Sequence, residues 1–421
     1  MTADAYRPLD AASLPARLGD LPALRAQAGD PATWQVREVG DGNLNLVFIV
    51  EGATGGVVVK QALPYVRLVG DSWPLGLQRS WFEYNALTRQ QARDPGSVPA
   101  VHHFDRDQAM VVMDYLDGHV ILRHSLMAGE RHPGLGAFLG RFCARTLFRG
   151  SGLAMAEPDR KADIALFAGN TELCDITESL VFTDPWREAP LNRFTPALAP
   201  LVAQLRADPG LKIATQRLKT AFITRAETLL HGDLHTGSVM VRGDSARVID
   251  PEFAVYGPMG FDVGMLIANV LMAFLAQAGH EAAPGARDTF RDWLLTVVRD
   301  IWTGFESHFT SLWHTERRGI LYPDSLFEDQ DQPDASGLAC AGVITGIWRD
   351  ALGFAGCEMH RRILGLAHIA EYDRIADETL RARCEAQGLI LGRALLLGQD
   401  HVAGLDALFD LTRSAARRDA A

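Results

Sequence analysis

The chain has only five cysteines in 421 residues, and none stands at the paired spacing of a thiolate metal site. An odd, dispersed set suits a reducing cytoplasm and not a disulfide scaffold. Positive charge is short as well: 41 Lys and Arg face 52 Asp and Glu, a net charge of −11. That balance disfavours nucleic acid or an anionic membrane as the main partner. Residues 1–20 carry acids and prolines and have no apolar signal core. The longest apolar run, 263–278, is broken by Asn269 and Gln277, so a buried helix is expected there and not a membrane span. A Gly-x-x-x-x-Gly-Lys-Ser/Thr loop is missing, which disfavours P-loop folds. There is no internal repeat and no long linker.

What is present is ordinary for a globular protein, 48% hydrophobic and 22% charged, and long enough for two lobes with large cores. Its most informative stretch is His231-Gly232-Asp233-Leu234-His235-Thr236-Gly237-Ser238, followed by Val248-Ile249-Asp250-Pro251-Glu252. One acid on a glycine-flanked turn precedes a β-hairpin, and two more follow it. Kinase-type phosphotransferases order their chemistry this way. The first acid orients and deprotonates a hydroxyl, and the later ones hold Mg²⁺ against the nucleotide phosphates. Asp233 is therefore the candidate base, and Asp250 and Glu252 are candidate metal ligands. Ser238 stands where protein kinases carry a second metal ligand, usually Asn, and still offers an oxygen. Each piece has a plainer reading. His-x-Asp-x-His can itself be a metal site or a pair of loop-stabilising histidines, and Asp-Pro-Glu can open a helix. Order and spacing together favour phosphoryl transfer.

That reading demands a phosphate-covering hairpin upstream. Gly40-Asp41-Gly42-Asn43-Leu44-Asn45 runs into the β-prone segment 46–50, and Gly52, Gly55 and Gly56 reverse the chain. The return strand 57–60 ends on Lys60, placed to reach the α- and β-phosphates. Asn45 replaces the third glycine of the protein-kinase loop, which argues against a protein kinase. Glu83, in a helical stretch 79–87, is the candidate partner of Lys60, although most glutamates on helices are simply solvated. Segment 109–116 reads as a strand running into a hinge, where backbone groups near Asp114, Tyr115 and Leu116 would bind adenine.

The expected fold is α+β and bilobal, protein-kinase-like. It has a small strand-rich N-lobe (residues 1–115) and a larger, mainly helical C-lobe (116–421). Residues 215–230 should form a helix delivering the chain to the Asp233 turn. Asp262, opening the buried helix, either caps it or binds the backbone of that turn. A helix is expected over 344–369, a polar exposed loop over 322–336, and a disordered tail after Thr412.

Several motifs narrow the match. Asp-Gly-Asn-Leu-Asn (41–45), Asp-Ser-Trp-Pro-Leu (71–75), Leu-Cys-Asp-Ile-Thr-Glu (173–178), Phe-Thr-Asp-Pro (182–185), His-Gly-Asp-Leu-His-Thr-Gly-Ser (231–238) and the 358–368 segment with Arg361-Arg362 resemble the S-methyl-5-thioribose kinase family. The similarity runs from about residue 34 to about 372. His-Gly-Asp alone marks only the wider aminoglycoside and choline kinase-like group. The resemblance implies ATP- and Mg²⁺-dependent phosphorylation of the anomeric hydroxyl of methylthioribose in methionine salvage, by a homodimer. It also implies that Trp73 lies near the sugar, against the alternative of a loop anchor. Arg361 and Arg362 would face the sugar hydroxyl and the transferring phosphate. Their apolar surroundings (353–357, 363–367) agree, since arginine is costly to bury without partners. Three other functions are open at this point. One is a kinase of another small molecule such as an aminoglycoside, choline or homoserine. Another is a pseudokinase, disfavoured because Lys60, Asp233 and Asp250 are present. The third is a metal-dependent hydrolase built on His231, Asp233 and His235.

Overall fold

The computed structural model describes residues 6–40, 44–66 and 70–417. The chain divides into two compact units. The first is assembled from three stretches, 1–119, 170–173 and 247–254, and the second from the remainder.

The first unit is built on a five-stranded antiparallel sheet, in the order Gln35–Glu38, Asn45–Gly52, Gly55–Ala62, Met110–Asp114, Val101–Asp105. Side chains alternate across a strand, and the sequence uses this. Val57 and Val59 join Phe48, Val50, Met110 and Val112 in a core closed by Leu14, Leu18 and Leu24 of the N-terminal helices Leu14–Leu18 and Pro22–Ala28. Lys60, one residue on from Val59, takes the other face of the same strand. The helix Arg79–Arg93 carries Glu83.

The second unit is mainly helical. Its centre is Gly260–Ala276, buried at every residue. By length and composition Gly260–Gly279 and Pro333–Leu364 could each cross a membrane, but the first is 94% buried within the protein. The expected buried helix is therefore found. It lies close against Pro333–Leu364: a Cβ at Gly260 would stand 2.6 Å from the Asp350 Cβ. This close approach brings Asp262 and Asn269 alongside the helix that carries Arg361 and Arg362.

Three expectations are corrected. The helix before the catalytic turn spans Pro209–Thr224, not 215–230, and Thr228–Leu229 is a short strand paired with Tyr256–Gly257. That pairing is non-local, so no periodicity near residue 228 announces it. The late helix spans Pro333–Leu364 and takes in residues assigned to a polar loop; Ser336 within it is buried and receives bonds from Trp313 Nε1 and Arg317. The tail is not disordered through Ala416. Leu405–Ala416 is a helix whose Leu408, Phe409, Thr412 and Ala415 are buried.

Candidate active site

Two clusters hold the chemistry-bearing residues, one in each unit. In the first, the Lys60 ammonium donates to Glu83 Oε1 at 2.8 Å and to Asp250 Oδ1. Glu252 is buried. Its Oε2 accepts from Asn45 Nδ2 at 3.0 Å and lies 3.7 Å from Arg79 Nε. Asn170 donates to the backbone carbonyls of Glu252 and Ala254, which fixes the turn after Asp250. Asp250 itself has φ of 71°, in the left-handed region that costs an L-residue about 1–2 kcal/mol. Pro251 follows it, and Pro251 accepts from Ala254 to close the bend.

Charge explains what this cluster can bind. Glu83, Asp250 and Glu252 bring three carboxylates, and Lys60 and Arg79 bring two cations. Burial would push the Lys60 ammonium down, but Asp250, Glu83 and Glu252 override it and hold the proton firmly. Glu83 is pushed up to about 7 by its burial, with Asp250 and Glu252 adding to the rise against Lys60. Asp250 and Glu252 act on both groups in the same direction, raising each. The ligand oxygens of Glu83, Asp250 and Glu252 lie within 4.8 Å of one another, an all-oxygen donor set with surplus negative charge. A hard divalent cation such as Mg²⁺ fits it.

The other nucleotide-site expectations are placed as follows. Asp114 ends its strand with its carboxylate on Ala100 N (2.9 Å) and His102 Nε2 (2.7 Å). The Tyr115 hydroxyl accepts from Arg37, and the Leu116 carbonyl accepts from His119 N. Among the described residues, a Cβ added at Gly40 would meet nothing within 4 Å. Asp41, Gly42 and Asn43 lie outside the described residues, as does the side chain of Trp73, whose backbone forms part of the strand Gly70–Pro74.

Sequence reasoning missed Arg79. Its side chain is 2% exposed, and it donates to Gly76 O at 3.0 Å, to Asn45 Oδ1 at 3.3 Å and to Leu44 O. One guanidinium therefore ties together the end of the glycine-rich hairpin, the loop after Pro74 and Glu252. The signal was a cation on the first turn of a helix, where it opposes the macrodipole. Arg79→Leu should cost about 3–5 kcal/mol in urea denaturation, because it removes one partner of a buried ion pair and the bonds that hold Leu44, Asn45 and Gly76; a loss under about 1 kcal/mol would contradict the pairing.

The second cluster is the Asp233 turn. Asp262 accepts from His231 N (2.6 Å) and Gly232 N (3.1 Å), so it binds the turn backbone. Gly232 has φ of 86°, which needs glycine. Asp233 Oδ1 accepts from Arg361 at 3.1 Å and from Arg362 at 3.1 Å. Oδ2 faces His235 Nε2 at 3.3 Å. His235 Nδ1 accepts from Gly237 N, so the ring proton sits on Nε2, toward Asp233. Burial pushes His235 down to about 4 and keeps the ring neutral. Burial would raise Asp233, but His235, Arg361 and Arg362 outweigh it and hold the carboxyl well below its ordinary value. The Ser238 hydroxyl donates within the turn, to the carbonyls of Asp233 and His235, and accepts from His235 N. Among the described residues, the acid and histidine side chains grouped closely enough for one ion are Glu83, Asp250 and Glu252, not the His231-Asp233-His235 set.

A buried Lys–Glu pair with strand-end acids, and a carboxylate turn capped by two guanidiniums, are parts suited to moving a phosphoryl group. Residues 35–294 match the phosphotransferase enzyme family. The chain is 42% identical to methylthioribose kinase 1 of Oryza sativa subsp. japonica over 404 residues, covering 94% of this chain and 92% of the relative. It is 40% identical to the methylthioribose kinase of Escherichia coli O45:K1 (strain S88 / ExPEC), covering 96% of each. The chain belongs to the methylthioribose kinase family, within the phosphotransferase enzymes.

Proposed function

We propose that the protein transfers the γ-phosphoryl group of ATP to the anomeric hydroxyl of S-methyl-5-thioribose, giving methylthioribose 1-phosphate and ADP in methionine salvage. The observation that carries this reading is family membership at 40–42% identity over nearly the whole chain, with the acids and bases that the reaction needs standing in bonded clusters. Lys60 holds phosphate oxygens and is oriented by Glu83. Asp250 and Glu252 would hold Mg²⁺, which when bound would neutralise charge on the phosphates. The kinase reading assigns residues 40–45 to the phosphates and 114–116 to adenine, and the family resemblance assigns Trp73 to the sugar. Asp233 orients the attacking hydroxyl and accepts its proton as the new P–O bond forms and the bond to ADP breaks. Its low basicity means the proton moves late, once the oxygen has become acidic. Arg361 and Arg362 stabilise negative charge on the transferring group. The family resemblance suggests a homodimer, which sedimentation velocity tests.

A kinase acting on choline or an aminoglycoside is the second reading. Two arginines at the base are a poor setting for a cationic acceptor, which wants an acidic pocket. Coupled ADP release over methylthioribose, ribose, choline, homoserine and kanamycin separates the readings. Methylthioribose should be preferred; preference for choline or kanamycin would leave only the phosphotransferase class.

The metal assignment has its own test. Asp250→Ala and Glu252→Ala should each weaken Mg²⁺-dependent nucleotide binding in calorimetric titrations, and Ser238→Ala should do so less. Normal Mg²⁺ dependence in both acid variants would remove them as ligands.

A further inference from the structure

Arg361 and Arg362 are neighbours on one helix, so their side chains leave it about 100° apart. Yet Arg361 Nη1 and Arg362 Nη2 both end 3.1 Å from the same oxygen, Asp233 Oδ1. Something must draw them together. Glu358 stands three and four residues earlier, the spacing at which helix side chains meet. Its Oε2 accepts from Arg361 Nη1 at 3.3 Å, and its Oε1 accepts from Arg362 Nε at 2.6 Å. Glu358 is fully buried, an expensive place for a carboxylate unless every oxygen is bonded. The remaining bond comes from Asn269 Nδ2, 3.0 Å from Oε1. Asn269 is itself fully buried, and its Oδ1 accepts from Arg123 at 3.0 Å. Arg123 Nε in turn donates to Thr236 Oγ1 at 3.3 Å, on the same turn as Asp233, and to Glu371 at 3.1 Å. The line of bonds therefore starts at the arginines and returns to the catalytic turn.

We propose that Glu358 is a positioning residue for the phosphoryl transfer: it aims both guanidiniums at Asp233 and, held by Asn269 and Arg123, shares their charge so that Asp233 remains able to take a proton. The inference rests on the proposed kinase reaction. Without the Glu358 charge, Asp233 would be left to balance most of two guanidiniums, a weaker base with misdirected arginines. The surrounding charged groups agree. Arg361 and Arg362 hold Glu358 below its ordinary value despite its burial and the nearby Asp233, so its charge is present at neutral pH.

The test is steady-state kinetics of the full chain with ATP, Mg²⁺ and methylthioribose. Glu358→Gln keeps the shape and removes the charge. It should lower kcat roughly tenfold to a hundredfold, the scale of a misplaced catalytic group, while the KM for ATP stays within about twofold. Moving the charge one partner away, in the double variant Glu358→Gln with Asn269→Asp, should recover part of the lost kcat. A merely structural carboxylate predicts otherwise: stability falls, but kcat and both KM values of the folded fraction match wild type. That result overturns the proposal, as does equal loss of ATP and sugar kinetics with no recovery in the double variant. If Glu358→Gln does not fold, Asn269→Leu, which leaves the charge and removes its support, should give the same split in smaller measure; unchanged kcat there also overturns it. A wild-type protein inactive on methylthioribose would instead refute the proposed function, a separate outcome.

Discussion

Asp233→Asn should fold, bind ATP with near-normal affinity and lose turnover by about 10²–10⁴-fold, the usual share of a general base. The substitution removes a carboxylate that faces His235, Arg361 and Arg362 together. The asparagine amide cannot take a proton, and its nitrogen would face guanidinium donors if it occupied the Oδ1 position. Calorimetry with ATP and Mg²⁺ separates binding from turnover; near-normal turnover in folded protein would end the assignment. The pH dependence has a defined sign. Asp233 sits well below its ordinary 3.8 in the folded protein. A depressed carboxyl contributes stability that is fully present above the unfolded value and is lost as pH falls through the folded one. The urea stability difference between wild type and Asp233→Asn should therefore be flat from neutral pH down to about 4 and change only below it. For the same reason kcat at saturating ATP and Mg²⁺ should show no acid limb from Asp233 above about pH 5.

The second large effect is expected at the arginine pair. Arg361→Ala and Arg362→Ala should each reduce kcat/KM for methylthioribose by about 10²–10³-fold, the scale of removing one donor from a transition-state anion. ATP affinity should stay close to normal. Arg362 should be the more sensitive, because its Nε and Nη2 bridge Glu358 and Asp233 at 2.6 and 3.1 Å. Lysine should not restore it, since one ammonium cannot hold that planar two-acid geometry. If both alanine variants fold and turn over normally, the pair is structural and methylthioribose rests on family likeness alone.

Much of this was legible in the sequence because short-range rules govern it. The glycine-reversed hairpin placed Lys60 on its return strand, the helical stretch 79–87 carried Glu83, and the two meet at 2.8 Å. Apolar residues recurring at helical spacing from Phe290 to Leu312 (Phe290, Leu294, Val297, Ile301, Phe305, Phe309 and Leu312) fall within one helix, Asp288–Thr315, and are buried as core. The partners of Arg79 and Asn170 were not legible. Their pairings with Glu252 and its backbone span 173 and 82 positions, and no local period reports such a pairing. The end of the Pro209–Thr224 helix was hidden likewise, since Thr228–Leu229 becomes a strand only through Tyr256–Gly257. Glu358 lies between these cases. The arginines were seen to need partners in an apolar setting, and the i−3 and i−4 spacing that supplies one was present in the same helix.

The product shows which hydroxyl receives the phosphate. Phosphorus NMR of the product formed from ATP, Mg²⁺ and methylthioribose, recorded with proton coupling retained, should show a single new phosphate monoester split by the anomeric proton. Loss of that signal with Asp233→Asn would place the reaction at this turn. A phosphate coupled to a different ring proton, or no new ester while another acceptor is phosphorylated, would contradict the account.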